Sequence, residues 1–211
     1  MHDPLSYELI DPPCHRMSIG LPSGSGSLPL MRIRKYSWLW IGVTVLLLVG
    51  FLYLRLYYTI YSYPQESMSP TIKKGSRLLV DMKAYKSKSP ALWDLVVYNQ
   101  TTPVRFTTVR RVVGLPKDHI SYSSWGGRLL NNGQLLEPPP NLSIEWKEPP
   151  VKSQVQISTP YIVPSDSYFV VGDGSDRSTD SRYFFDSRYF GAVPKKDILG
   201  KVVYIFPPNP P

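Results

Sequence analysis

Arg128-Leu129-Leu130-Asn131-Asn132-Gly133-Gln134-Leu135-Leu136 reads as two short apolar runs folded back on each other at Asn132-Gly133. Asn-Gly suits the two-residue type I′ turn, which needs positive φ at both central residues. On either side the pattern is also β. Arg77-Leu78-Leu79-Val80-Asp81 is a short strand, residues 92–98 are β-branched and aromatic, and residues 104–113 alternate well enough for a long strand. Residues 167–171 and 198–206 complete the set. Pro138-Pro139-Pro140 and Pro149-Pro150 bracket a surface excursion within a variable cap region over residues 115–165. With 22 Pro and 14 Gly, punctuation favours strands and turns over long helices. The expected fold is mainly β, an antiparallel body following one N-terminal helix.

That helix is the run YSWLWIGVTVLLLVGFLYL over residues 36–54, which carries no charge. Its length matches a bilayer's hydrocarbon core, so residues 36–55 are expected to be a transmembrane anchor. Trp38 and Trp40 at one end and Tyr53, Tyr57, Tyr58 and Tyr61 at the other resemble interfacial aromatic belts. Arg32, Arg34 and Lys35 precede the run, and only Arg55 follows it closely. The positive-inside bias puts residues 1–35 in the cytoplasm and residues 56–211 outside. A cleaved signal peptide fits less well, since the run begins late and ends in bulky aromatics. Residues 1–35 are expected to be a disordered leader rich in Pro, Ser and Gly, with Met17 and Met31 as alternative starts. Cys14, the single cysteine, excludes an internal disulfide.

The formal charge of +8 is scattered, with no dense block and no nucleic-acid module. The expected surface partner is a lipid bilayer, not nucleic acid. No His, Cys or carboxylate cluster has metal-ligand spacing, and no glycine loop is built for phosphates, so no metal and no cofactor are indicated.

Ser67-Met68-Ser69-Pro70-Thr71-Ile72 stands just beyond the apolar run. Three further segments follow in order: Asp94-Leu95-Val96-Val97-Tyr98, then residues 110–118 (RRVVGLPKD), then residues 172–182 (GDGSDRSTDSR). Together they resemble the bacterial type I signal peptidases, membrane-anchored serine proteases that remove signal peptides. That family has Ser-Met-x-Pro-Thr, Gly-Asp-x-Val, Lys-Arg-x-x-Gly-x-Pro-Gly-Asp and Gly-Asp-Asn-x-x-x-Ser-x-Asp-Ser-Arg. Each segment alone is weak, but four in this order behind an anchor are specific. Here Trp93 and Lys117 stand where the family has glycine, and Arg110 stands where it has its general-base lysine.

The resemblance implies that Ser67 is the nucleophile and Arg110 occupies the base position. Oxyanion donors would be the Ser67 N–H and Gln65, and Ser178 would hydrogen-bond the base. Asp173 would pair with Arg111, and Asp180 with Arg182. Met68, Pro70 and Val80 would contact substrate. Residues 180–184 (DSRYF) recur as 186–190, so a second copy competes for the same slot. A serine hydroxyl is a poor nucleophile until a base takes its proton. A guanidinium stays protonated, and bringing its pKa to neutrality would cost about 8 kcal/mol. Lys83, Lys86, Lys117, His119 or a water are left as alternative bases. Arg110 and Arg111 can also be read as charges on the solvent face of an edge strand.

The expected activity is endopeptidase removal of signal peptides from exported preproteins at a plasma (inner) membrane, a thylakoid membrane being the other setting. The alternative is a catalytically impaired homologue that binds peptides or assists assembly, partnered by an active paralogue. A self-cleaving repressor shares the Ser-Met-x-Pro segment, but the anchor and the lack of a helix-turn-helix region weigh against it.

Overall fold

The computed structural model describes residues 33–100, 106–124, 127–140, 142–148, 160–183 and 191–208. Residues 1–32 of the leader expected over 1–35, and the second copy of the repeat, therefore lie outside the described residues, while residues 33–35 belong to a helix instead of the leader. The chain divides into two units, Met1–Leu47 and Leu48–Pro211. Helix α1, Ile33–Tyr57, is 25 residues long and contains no proline. Its large apolar side chains, from Trp38 to Leu56, are exposed, and it is long and apolar enough to cross a membrane. Arg55 in the last turn complements the negative end of the helix dipole.

Eleven strands follow α1 among the described residues: β1 Tyr58–Tyr63, β2 Ser76–Asp81, β3 Leu95–Gln100, β4 Phe106–Gly114, β5 His119–Tyr122, β6 Leu129–Asn131, β7 Gln134–Leu135, β8 Tyr161–Ile162, β9 Ser167–Val171, β10 Val193–Pro194 and β11 Ile198–Phe206. Seven form one sheet in the order β1-β2-β11-β3-β4-β9-β10, and four form a second in the order β7-β6-β5-β8. Every neighbouring pair is antiparallel. The fold is mainly β and antiparallel, with a single long apolar helix at the N-terminal end of the described residues.

The Asn132-Gly133 turn forms as the sequence predicts, with φ of 52° and 77° and Leu130 opposite Leu135. Strand β1 departs from expectation. It begins directly after α1, and all six of its residues pair with β2, from Tyr58 opposite Asp81 to Tyr63 opposite Ser76. Tyr58 and Tyr61 therefore belong to a strand, for which aromatic residues suit as well as they suit a membrane interface.

Strand β4 is the organising element. Its sequence predicts alternation, yet every residue from Thr108 to Gly114 is buried. Three apolar clusters meet along it. Val109 packs with Tyr63, Met68, Ile72, Leu78, Val80, Val97 and Val202. Val112 packs with Val96, Tyr98, Val170 and Val193. Val113 packs with Ile120, Leu129, Trp146 and Phe169 beneath the second sheet. A strand covered on both faces loses the polar half of its pattern. Arg110 and Arg111 thus lie in a central strand at 3% and 4% exposure, not on the solvent face of an edge.

Candidate active site

The segment carrying Ser67 is a pair of tight turns after β1. The Ser69 N–H donates to the Glu66 carbonyl at 3.0 Å, and the Ile72 N–H to the Met68 carbonyl at 2.8 Å. Met68 and Ile72 are fully buried and pin the segment to the core. From the other side the Gly174 N–H donates to the Ser67 carbonyl at 3.0 Å. Gly172 is required here by close approach, because a Cβ would overlap both the Ser178 side chain and the Ser67 carbonyl oxygen.

Three side chains meet the Ser67 hydroxyl. Arg110 Nη1 donates to it at 3.0 Å, the Tyr63 hydroxyl lies at 2.8 Å, and Ser67 Oγ donates to Gln65 Oε1 at 3.3 Å. With its one proton committed to Gln65, the serine oxygen accepts from Arg110 and from Tyr63. Burial raises the Tyr63 pKa, although its contacts with Ser67 and Arg110 pull the other way, so it stays a neutral phenol. None of the three partners is a base near neutrality. Lys83, Lys86, Lys117 and His119 do not meet the hydroxyl. Lys83 lies 3.6 Å from the Tyr57 ring centroid, and the other three are exposed.

Arg110 is held on several sides. Nη1 also donates to Thr108 Oγ1 at 2.9 Å and to the Val109 carbonyl at 2.6 Å, and Nη2 donates to the Thr179 carbonyl at 2.9 Å. Its Nε has no partner among the described residues. Arg111 grips Asp173 through Nε at 2.9 Å and Nη2 at 2.6 Å, and Thr71 also donates to Asp173. Arg182 grips Asp180 in the same two-pronged way, through Nε at 2.9 Å and Nη2 at 2.8 Å. Burial alone would raise the Asp180 pKa. The Arg182 charge and its hydrogen bonds, then Arg110 and the Gly172 N–H, outweigh it and hold the carboxyl below the usual range.

Several expected contacts differ. Ser178 donates to Asp180 Oδ2 at 2.8 Å instead of engaging Arg110. Gln65 turns its carbonyl oxygen toward Ser67, so the side chain is an acceptor there, not an oxyanion donor. Met68 and Val80 are in the core and Pro70 is exposed, and none of the three lines a cleft beside Ser67. Instead a cleft of about 500 Å³ is lined by Tyr61, Tyr63, Gln65, Leu78, Val97 and Phe106, among others. A smaller cavity of about 250 Å³ holds Ser67, Arg110, Arg177 and Thr179, and shares Gln65 and Phe106 with the larger one. Sequence reasoning missed Tyr63, Thr108 and Thr179. Thr108 was reachable, since it lies two residues from Arg110 on the same strand face. Nothing in the sequence sets Tyr63 apart from the tyrosines around it.

The profile of the signal peptidase, peptidase S26, family matches residues 35–207, which is most of the chain. This chain belongs to the signal peptidase S26 family. Among its relatives, "Signal peptidase I" of Leptolyngbya laminosa is 32% identical over 181 residues, covering 80% of this chain and 77% of that protein. "Probable signal peptidase I-2" of Synechocystis sp. is 29% identical over 156 residues, covering 70% of this chain and 62% of that protein. A solved signal peptidase I structure from Enterococcus faecalis V583 aligns at 23% identity with a TM-score of 0.40, over 55% of this chain and 98% of the other. At this site the charge chemistry turns on one contact, the Arg110 Nη1 that donates to the oxygen of Ser67.

Proposed function

We propose that this chain is a membrane-bound serine endopeptidase that removes N-terminal signal peptides from exported preproteins, with Ser67 as its nucleophile. The observation that carries this reading is the Ser67 hydroxyl, held by Arg110, Tyr63 and Gln65 beside an apolar cleft. Ser67 Oγ attacks the scissile carbonyl, the proton leaves to solvent, and an acyl-enzyme forms and is hydrolysed. Arg110 and the Ser67 N–H supply positive charge and a donor where the oxyanion develops. The expected topology has the N-terminus in the cytoplasm and the β body outside, from the Arg32, Arg34 and Lys35 bias. The cyanobacterial relatives favour considering both plasma and thylakoid membranes.

A second reading is favoured by one observation. Arg110 donates to the very oxygen that must lose a proton, and a guanidinium cannot receive it. The chain would then be a peptide-binding or assembly factor working beside an active paralogue. A preprotein cleavage assay in detergent separates the two. We expect slow wild-type cleavage that Ser67→Ala removes and Arg110→Lys raises about 100-fold, the usual scale of general-base catalysis. A wild-type protein that never cleaves, while Arg110→Lys also stays silent, would leave only the binding reading.

A further inference from the structure

Cleavage of a peptide bond moves two protons. One leaves the Ser67 hydroxyl, and the other must reach the amine that departs, because an amide anion is too basic to leave unprotonated. In the tetrahedral intermediate the serine oxygen and that nitrogen share one carbon, so a donor seated at Oγ is within reach of both. Two donors contact Ser67 Oγ, Arg110 Nη1 at 3.0 Å and the Tyr63 hydroxyl at 2.8 Å. The third contact, Gln65, presents a carbonyl oxygen and has no proton to give there. A guanidinium titrates at about 12.5 or above, far from a leaving amine at about 8, whereas a phenol at about 10 is the closer match.

The fold holds that phenol in place. Tyr63 is the last residue of β1, opposite Ser76, and its carbonyl accepts the Gly75 N–H at 2.8 Å. Its ring is buried among Met68, Ile72, Leu78, Val97 and Val109, so the hydroxyl is not free to swing away. Tyr63 also lines the 500 Å³ cleft, and its hydroxyl therefore stands where that space meets the nucleophile. Burial, the largest influence on this phenol, raises its pKa and keeps the proton on it through neutral pH. The Arg110 charge acts in the other direction, stabilising the phenolate once the proton has gone, with Asp173 opposing.

We propose that Tyr63 is the general acid of acylation, the catalytic residue that protonates the leaving amine. This rests on the proposed function, with Ser67 as nucleophile. Hydroxide takes the Ser67 proton and becomes water. Ser67 Oγ bonds to the scissile carbon, and the carbonyl oxygen takes up the negative charge. As the carbonyl re-forms, the C–N bond breaks and its electron pair goes to the nitrogen, which takes the Tyr63 proton and leaves as a neutral amine. Tyr63 is left as a phenolate beside Arg110. A water molecule reprotonates it and returns the hydroxide that the first step consumed. The acyl-enzyme is then hydrolysed. Tyr63 thus gives a proton and takes none from Ser67, and the nucleophile still depends on solvent for its activation.

The test exploits the leaving group. A thiolate departs without a proton, so a substrate whose scissile amide is replaced by a thioester has no use for the acid. The full chain in detergent micelles is given a peptide spanning a signal-peptide cleavage site and its matched thioester, with Ser67→Ala as the background. In single turnover, Tyr63→Phe is expected to slow the peptide about 100-fold and the thioester by no more than about threefold. A loss of packing or of serine positioning would slow both alike. An equal fall on the two substrates, or peptide cleavage by Tyr63→Phe within about threefold of wild type, overturns the proposal. Should Tyr63→Phe not fold, the wild type decides alone: the peptide is expected to show a larger solvent deuterium isotope effect than the thioester, and equal effects overturn the proposal. Peptide cleavage that Tyr63→Phe leaves intact defeats the acid and leaves the peptidase standing. No Ser67-dependent turnover of either substrate removes the peptidase and the acid with it.

Discussion

Trp93 and Lys117 both have φ of +74°, a left-handed conformation that glycine adopts without penalty. A side chain in the left-handed region costs about 1–2 kcal/mol, so each of the two stores strain in this backbone. The two sites differ in what offsets it. The Lys117 side chain is exposed, whereas Trp93 stacks on Trp146 with ring centroids 5.8 Å apart. Lys117→Gly is therefore expected to stabilise the fold by about 1 kcal/mol in chemical denaturation, while Trp93→Gly destabilises it. Asp180 is a separate case. Both it and Arg182 are buried, so Asp180→Asn leaves a guanidinium uncompensated and is expected to cost about 3–5 kcal/mol. The folded Asp180 carboxyl titrates below its unfolded value. Its contribution is thus complete above the unfolded carboxyl pKa of about 4 and is lost as pH falls through the folded value. The stability gap between wild type and Asp180→Asn should accordingly narrow in acid unfolding curves below about pH 4.

The β6–β7 hairpin and strand β4 show what local sequence can and cannot specify. Asn132-Gly133 was legible because a type I′ turn is decided by its own two residues. A Cβ at Gly133 would meet nothing within 4 Å, so Gly133→Ala should cost only the conformational penalty, about 1–2 kcal/mol in equilibrium unfolding. A loss well beyond that would mean the turn is held by contacts its sequence does not reveal. β9 and β11 were likewise read with their observed bounds, since each is a plain β-branched and aromatic run. β4 was legible as a strand, but its place between β3 and β9 depends on residues far away in the chain. Local sequence therefore left a surface-charge reading open beside the site reading of Arg110 and Arg111. β5, β8 and β10 have two to four residues each and offer too few positions for a period to show. Within the site, Ser67, Arg110, Arg111, Asp173, Ser178, Asp180 and Arg182 are gathered as their order along the chain suggested. The orientation of Gln65, the target of Ser178 and the presence of Tyr63 depend on side-chain geometry that no motif encodes.

Taken together, the chain places a membrane-length apolar helix ahead of a β body and builds the body's polar centre from three buried arginines. Two of these are neutralised in place, and the third touches the serine. The group nearest the serine oxygen in this arrangement is thus a cation, not a proton acceptor. The central claim is that no base among the described residues is within reach of Ser67. Its most direct test is the pH dependence of single-turnover preprotein cleavage by the wild type and by Arg110→Lys. With hydroxide as the only proton acceptor, the wild-type rate should rise about tenfold per pH unit from about pH 6 to 9 without a plateau, whereas the lysine variant should level off once its amine is neutral. A wild-type rate that levels off near neutrality would show a working base at Ser67 and contradict the account.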